Sequence, residues 1–366
     1  MATSTETNTV VAFVRERAVL IALGLFVALL VADLFRKLGT GALTAASLAG
    51  FVKDGTVLGL SLGLAGIGLA MTYSILNFAN FAHGDYITVG GVVGWITAFL
   101  VAGSGSADIE QLVLLRASSR TLGISVTTAP VAIVLGLIVS VVVTAGLALL
   151  IDRIVFRPMR GQRGIALLIA SVGVALAVRY LLVFVLQTGP RGLTAGQATP
   201  SWALPVGGGT VTVPAHEATL AVLAVALMLG THVLLRYTTF GTAMRAMADN
   251  KDLAQVSGIP TERVIRTTWL LGAGLTGASG FLIALERGAL TTSFGWQLLL
   301  LVFAAVILGG IGSVYGAMVG GLVIGLASRL SVVWLPESFI IAAAFVVMIV
   351  MLLVRPKGLL GGVTTV

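Results

Sequence analysis

Residues 76–86 read LNFANFAHGDY, a polar run between two apolar stretches, 56–76 and 86–103. Each flank is about long enough to cross a bilayer, which takes roughly 20 residues of helix. Two asparagines, a histidine and an aspartate therefore stand where the neighbouring sequence is lipid-embedded. The whole composition fits that setting: 58% of the 366 residues are apolar and 10% charged, against roughly 45–50% and 25% in a soluble chain. The expected fold is all-α, a polytopic transmembrane helix bundle.

Apolar runs of span length lie near 18–35, 56–76, 86–103, 129–151, 164–186, 217–235, 264–285, 297–310, 314–331 and 338–354. The runs at 297–310 and 314–331 are short and glycine-rich, so the expectation is eight to ten spans, some of them broken at glycine. One membrane domain over 18–354 is expected, with a tail at 1–17 and another at 355–366. The polar tail and first apolar run have the order of a signal peptide, but the small residues of SLAG (47–50) lie well past the run, so a retained first span is expected.

Short loops rich in Lys and Arg remain on the cytoplasmic side. With both termini inside, 13 of the 22 Lys and Arg fall in inner segments and 7 in outer ones, with Arg179 and Arg329 within spans. That places the chain in the cell membrane, multi-pass, with both termini cytoplasmic. The net charge of +8 is scattered over these loops, an orientation signal and not a nucleic-acid face. Cysteine is absent, which removes disulfides and thiolate metal sites. No G-x-x-x-x-G-K-[ST] occurs, so the chain has no P-loop for ATP, and no His or carboxylate cluster has metal-ligand spacing.

Two loops are long. The outer one, 187–216, is rich in turn residues and suits a short hairpin or a docking surface. The inner one, 236–263, holds RYTTFGTAMRAMADNKDLAQVSGIPTER. A small-residue helical run carrying Arg245 follows Gly241; Asp249 and Asn250 end it. DLAQVSG then starts a second short helix, stopped by Gly258 and Pro260. Alanine and glycine let a partner backbone come close, so this helix pair reads as a docking element.

GTAMRAMADNKDLAQVSGIPTERVI resembles the cytoplasmic coupling segment of ABC-importer permeases, in the form of the branched-chain amino acid permease family. The core of that pattern falls on Asp252, Leu253, Ala254 and Gly258, with leucine in place of the second-position alanine. NFAHGD (80–85), FRPMRG (156–161), LGGIGSVYGAMVGG (308–321) and RPKGLLG (355–361) are similar to the same family in the same order. The resemblance implies a non-enzymatic membrane subunit of an importer for branched-chain amino acids or small amides such as urea. It implies partners as well: two cytoplasmic ATPase subunits that bind the ATP, a second homologous permease or a copy of this one, and an extracytoplasmic substrate-binding protein. The chain itself is expected to need no cofactor. A self-sufficient secondary transporter or channel for a small polar solute is the rival.

Ionisable groups at membrane depth face a bundle interior or a water-filled path. Asn77, Asn80, His83, Gly84 and Asp85 are therefore candidates for the wall of a translocation path, either supporting it or touching substrate; a plain inner loop is the bland alternative. Paired breaks in the two halves of a transporter point to its central site, so Gly309, Gly310 and Gly312 join the candidates, with simple helix packing as their other reading. Arg179, some eight residues from the outer end of its span, is expected to snorkel to the surface.

Overall fold

The computed structural model describes residues 21–22, 24–104, 124–186, 191–192 and 199–361. They form two compact units. In the smaller, the described residues up to Gly50 join Leu204–Val211. It holds helix α1 (24–39), on which Asp33 pairs with Arg36 at 2.7 Å and with Lys37 at 3.6 Å. It also holds the tip of a hairpin between β2 (Ser201–Val206) and β3 (Gly209–Pro214). The turn is Gly207–Gly208, both at positive φ (54° and 80°), as the tight hairpin turns that match strand twist require.

The larger unit is the bundle. In chain order it contains α2 (Ala45–Leu76, which starts in the smaller unit), α3 (His83–Gly103), α4 (Pro130–Ile151), α5 (Gly164–Leu186) and β1 (Arg191–Gly192). After the hairpin come α6 (Ala215–Tyr237), α7 (Thr239–Asp249), α8 (Lys251–Val256), α9 (Thr261–Arg287) and β4 (Ala289–Leu290). Helices α10 (Phe294–Gly309), α11 (Val314–Leu330) and α12 (Ile340–Val354) close the chain. Among the described residues eight helices are long and apolar enough to cross a membrane. Each of the ten apolar runs read from the sequence is helical where described; α10 falls short at 16 residues, and the first run begins outside the described residues.

Helices α2 and α9 are 83% buried over their apolar windows, whereas α5 is 17% and α12 11% buried. The first two thus form the centre, with α3 beside them, and the last two leave most of their side chains outside the bundle. Lipid supplies no hydrophobic drive between helices, so close backbone approach through small residues has to hold such a centre together. Gly59 and Gly63 on α2 meet Gly321 and Gly325 on α11, two G-x-x-x-G rows face to face: a Cβ on Gly321 would lie 2.5 Å from Gly63 Cα. Gly68 of α2 lies against Gly272 of α9, and Gly90 of α3 against Gly277 of α9. Ser140 of α4 donates to the Gly277 carbonyl at 2.7 Å, adding the fourth helix.

Candidate translocation path and coupling face

Helix α2 ends at Leu76 and α3 starts only at His83. The six residues between them climb back along α5 instead of turning at its end. The Asn77 carbonyl lies 3.3 Å from where a Cβ would stand on Gly164; Phe81 N donates to Ser171 Oγ at 3.0 Å; Asp85 pairs with Arg179. From Gly164 to Arg179 the helix rises roughly 22 Å; along it the segment runs as irregular backbone, turns at Phe81–Ala82 and enters α3 at His83. Asn77, at φ 54°, makes the reversal, the left-handed conformation that asparagine tolerates best among non-glycine residues.

His83 is consequently deep in the bundle, 2% exposed. Its Nε2 lies 2.9 Å from the Ala65 carbonyl, in mid-α2, and 3.4 Å from Thr276 Oγ1, in mid-α9. A carbonyl only accepts, so Nε2 carries the proton. Gly84 lies against Gly295 at the head of α10. Asp85 is fully buried and takes two bonds from Arg179, Nε to Oδ1 at 3.1 Å and Nη2 to Oδ2 at 2.9 Å. The same guanidinium lies 4.5 Å from the centre of the Trp296 ring. Arg179 therefore does not snorkel: a buried carboxylate and an aromatic face hold it inward. Asn80 Oδ1 accepts from Ala82 N at 3.1 Å, and the Asn80 side chain faces the buried Tyr86 hydroxyl. Such irregular backbone at membrane depth survives only when protein or a water-lined cavity covers it.

The second break lies between α10 and α11. Gly310 and Gly312 have φ of 110° and 86°, and Ser313 Oγ caps α11 by accepting from Gly316 N at 2.9 Å. A Cβ on Gly312 would stand 3.7 Å from Ser74 Cβ near the end of α2, so the two breaks are neighbours. The RPKGLLG segment covers this one: Leu359 N and Leu360 N each donate at 2.9 Å, to the Leu308 and Gly309 carbonyls. Gly309 itself packs on the Gly316 carbonyl. The FRPMRG stretch contributes Phe156, stacked at 5.6 Å on Trp269 and 5.1 Å from Phe78. Its Arg160 binds Asp152 and Glu262, both at 2.6 Å. The FRPMRG, LGGIGSVYGAMVGG and RPKGLLG motifs thus gather at the end of the bundle from which NFAHGD runs inward, which no spacing in the chain announces.

The inner loop folds as the helix pair expected. Thr238 Oγ1 caps α7 by accepting from Gly241 N at 3.3 Å, and Asn250 Oδ1 caps α8 by accepting from Leu253 N at 2.9 Å. Ala254 is 4% exposed and turned into the bundle, and Gly258, at φ 83°, lies beyond the end of α8. They do not share one helical face. Outward instead point Leu253, 61% exposed, and Val256, 83% exposed, with Asp252 beside them. Arg245 reaches back, its Nη1 donating to the Leu235 carbonyl at 2.6 Å and its Nη2 to Thr242 Oγ1 at 3.2 Å; it fastens α7 to the end of α6.

A bundle with re-entrant breaks at one end and an amphipathic helix pair beside them has the architecture of a multi-pass membrane transport subunit. Residues 51–355 match the family described as branched-chain amino acid transport system / permease component, and the chain belongs to that family. It is 29% identical over 316 residues to the high-affinity branched-chain amino acid transport system permease protein LivH of Salmonella typhimurium, covering 84% of this chain and 94% of the relative. It is 26% identical, with the same coverage, to the corresponding permease BraD of Pseudomonas aeruginosa. A shorter stretch of 109 residues is 34% identical to the xylose transport system permease protein XylH of Haemophilus influenzae, covering 28% of this chain and 29% of that one. No solved structure matches the chain.

Proposed function

We propose that this chain is a membrane subunit of an ABC importer that carries branched-chain amino acids into the cell, using ATP hydrolysed by separate cytoplasmic subunits. A second permease, or a copy of this one, completes the membrane part, and a binding protein delivers substrate outside. The α7–α8 pair is the coupling element, Leu253 and Val256 entering a cleft of the ATPase; both termini share its side of the membrane. The carrying observation is that α8 turns two large apolar side chains to solvent while its small face, at Ala254, is fixed to the bundle. A rigid contact of this kind transmits a conformational stroke. The secondary-transporter reading needs an available mid-span carboxylate, and Asp85 is bound on both oxygens by Arg179.

Reconstitution of the chain with its ATPases, second permease and binding protein tests the reading. Expected is uptake of labelled leucine, isoleucine or valine that requires both ATP and binding protein. Uptake driven by an ion gradient without ATP would overturn it, and uptake of urea with exclusion of leucine would overturn the substrate class.

A further inference from the structure

At the end of the bundle opposite the breaks lies a cavity of about 150 Å³, lined by Asp54, Ser61, Glu217, Glu286, Arg287 and Arg329. Its apolar wall is Val57, Leu58 and Ile283. Charged groups from four helices (α2, α6, α9 and α11) converge here in a chain with 10% charged residues. Lys53 pairs with Glu217 at 2.6 Å and with Asp54 at 2.9 Å. Among the described residues Glu286, Arg287 and Arg329 make no direct ion pair, and Arg329 Nε is buried without a hydrogen-bond partner. Charges held at a membrane bundle in this way are costly unless water or a ligand meets them.

The groups without a direct ion pair are the Glu286 carboxylate, within Coulombic reach of both arginines, and two guanidiniums, of which Arg287 is exposed and Arg329 half-buried. A lone cation would meet the guanidiniums, and a lone anion would meet Glu286 with two further carboxylates behind it. A molecule carrying an ammonium and a carboxylate on adjacent atoms satisfies both. Arginine binds a carboxylate through two parallel N–H groups, a geometry lysine lacks. A cavity of about 150 Å³ accommodates a benzene-sized molecule, which suits an amino-acid head group with its side chain against Val57, Leu58 and Ile283.

The cavity is also in line with the re-entrant segment. Ser61, on its floor, is one helical turn from Ala65, whose carbonyl binds His83. Ser279 Oγ of α9 donates to the Ser61 carbonyl at 3.0 Å, and Thr276, one turn back on α9, faces His83. Below these polar groups the α2–α9 seam is shut where Gly68 meets Gly272. We infer that this cavity is the outer receiving site of the permease, holding an α-amino acid zwitterion with its carboxylate on Arg329 and Arg287 and its ammonium on Glu286. The inference rests on the amino-acid import proposed above and adds the place and chemistry of recognition.

The test uses the assembled importer in proteoliposomes and the absence of native cysteine in this chain. Leu58→Cys places a thiol in the cavity wall, and its reaction rate with methyl methanethiosulfonate reports occupancy. Leucine is expected to protect it; leucinol, which lacks the carboxylate, and 4-methylpentanoate, which lacks the ammonium, are expected not to at equal concentration. Arg329→Gln should raise the half-protecting leucine concentration about ten- to a hundredfold, the loss of a charge-assisted bond, and Arg329→Lys should raise it less. The analogue comparison uses unaltered charged residues, so it stands if Arg329→Gln does not assemble. Equal protection by either analogue, or wild-type protection in an assembled Arg329→Gln importer, overturns the site. ATP-dependent leucine uptake by vesicles in which leucine gives no protection removes the site and leaves the import reading; absence of uptake with every partner present removes both.

Discussion

Asp85 and Arg179 form a two-bond ion pair within the bundle, at 3.1 and 2.9 Å, with the carboxylate fully buried. The pair joins the start of α3 to α5, which has few other buried side chains. It therefore fixes the depth at which the re-entrant segment stops. Removing one partner strands a buried charge, typically at a cost of about 3–5 kcal/mol, whereas removing both is far less damaging. Asp85→Ala is expected to lower the melting temperature of the purified permease sharply, and Asp85→Ala with Arg179→Leu to recover most of the loss. A double variant no more stable than Asp85→Ala would show that the pair does not position α3.

Of the residues on which the coupling pattern falls, Leu253 is exposed with Val256 beside it while Ala254 is buried, so the proposed contact is made by Leu253 and Val256. Leu253→Asp and Val256→Asp should leave folding intact, since both side chains are exposed, while abolishing substrate-stimulated ATP hydrolysis and uptake together. Ala254→Trp should instead destabilise the permease before any partner is added, because Ala254 is buried against the bundle. Gly258→Trp would be confounded: at φ 83° any side chain strains the backbone by about 1–2 kcal/mol. Stimulated hydrolysis retained by both aspartate variants would return the ion-driven alternative.

Topology is checked at the same place. A single cysteine at Val256 is exposed, which one at Ala254 would not be, and the chain offers no competing thiol. An impermeant maleimide should label it in inside-out vesicles and not in intact cells. Labelling from outside would invert the orientation drawn from the basic residues.

Helices and their order were legible because each is written locally, as apolar runs of span length; the outer loop was legible only as suited to a hairpin or a docking surface, and the strands at 201–214 and the caps at Thr238 and Asn250 came from the structure. The facing G-x-x-x-G rows, Gly59 with Gly63 and Gly321 with Gly325, were legible in principle, since both spacings stand in the chain, but their pairing joins residues far apart. Arg179 was misread because snorkelling is judged from distance to the span end alone, and the competing carboxylate lies 94 residues away. The orientation of α8 was also beyond the sequence: six residues are too few for a periodicity to say which side faces the bundle.

The C-terminal clamp is open to a separate test. Gly358 has φ 77°, and a Cβ there would lie 2.6 Å from Gly310 N. Gly358→Ala is therefore expected to cost about 2 kcal/mol or more from the combined conformational and steric penalties, read as a lower melting temperature. An unchanged melting temperature would mean that the Leu359 and Leu360 bonds do not hold the second break.

The re-entrant segment turns on His83. Its ring fills the junction of α2, α3 and α9, with Nε2 donating to the Ala65 carbonyl and in reach of Thr276. If the segment lines the path, then removing the ring widens the junction at mid-depth without touching the coupling face or the lipid-facing helices. His83→Ala should thus reduce uptake by about tenfold or more while the ATPases still bind and basal ATP hydrolysis persists. Glutamine keeps a terminal N–H donor for the Ala65 carbonyl, so His83→Gln should retain more uptake than His83→Ala at equal expression. Two variants equally inactive would point to the ring's volume and not its hydrogen bond, and two variants of normal uptake would make 77–85 a structural filler with the path elsewhere. Thr276→Val supplies the control from the other wall: it removes the hydroxyl while conserving shape, and should weaken uptake in wild-type background but add little to His83→Ala, since both act on the same contact.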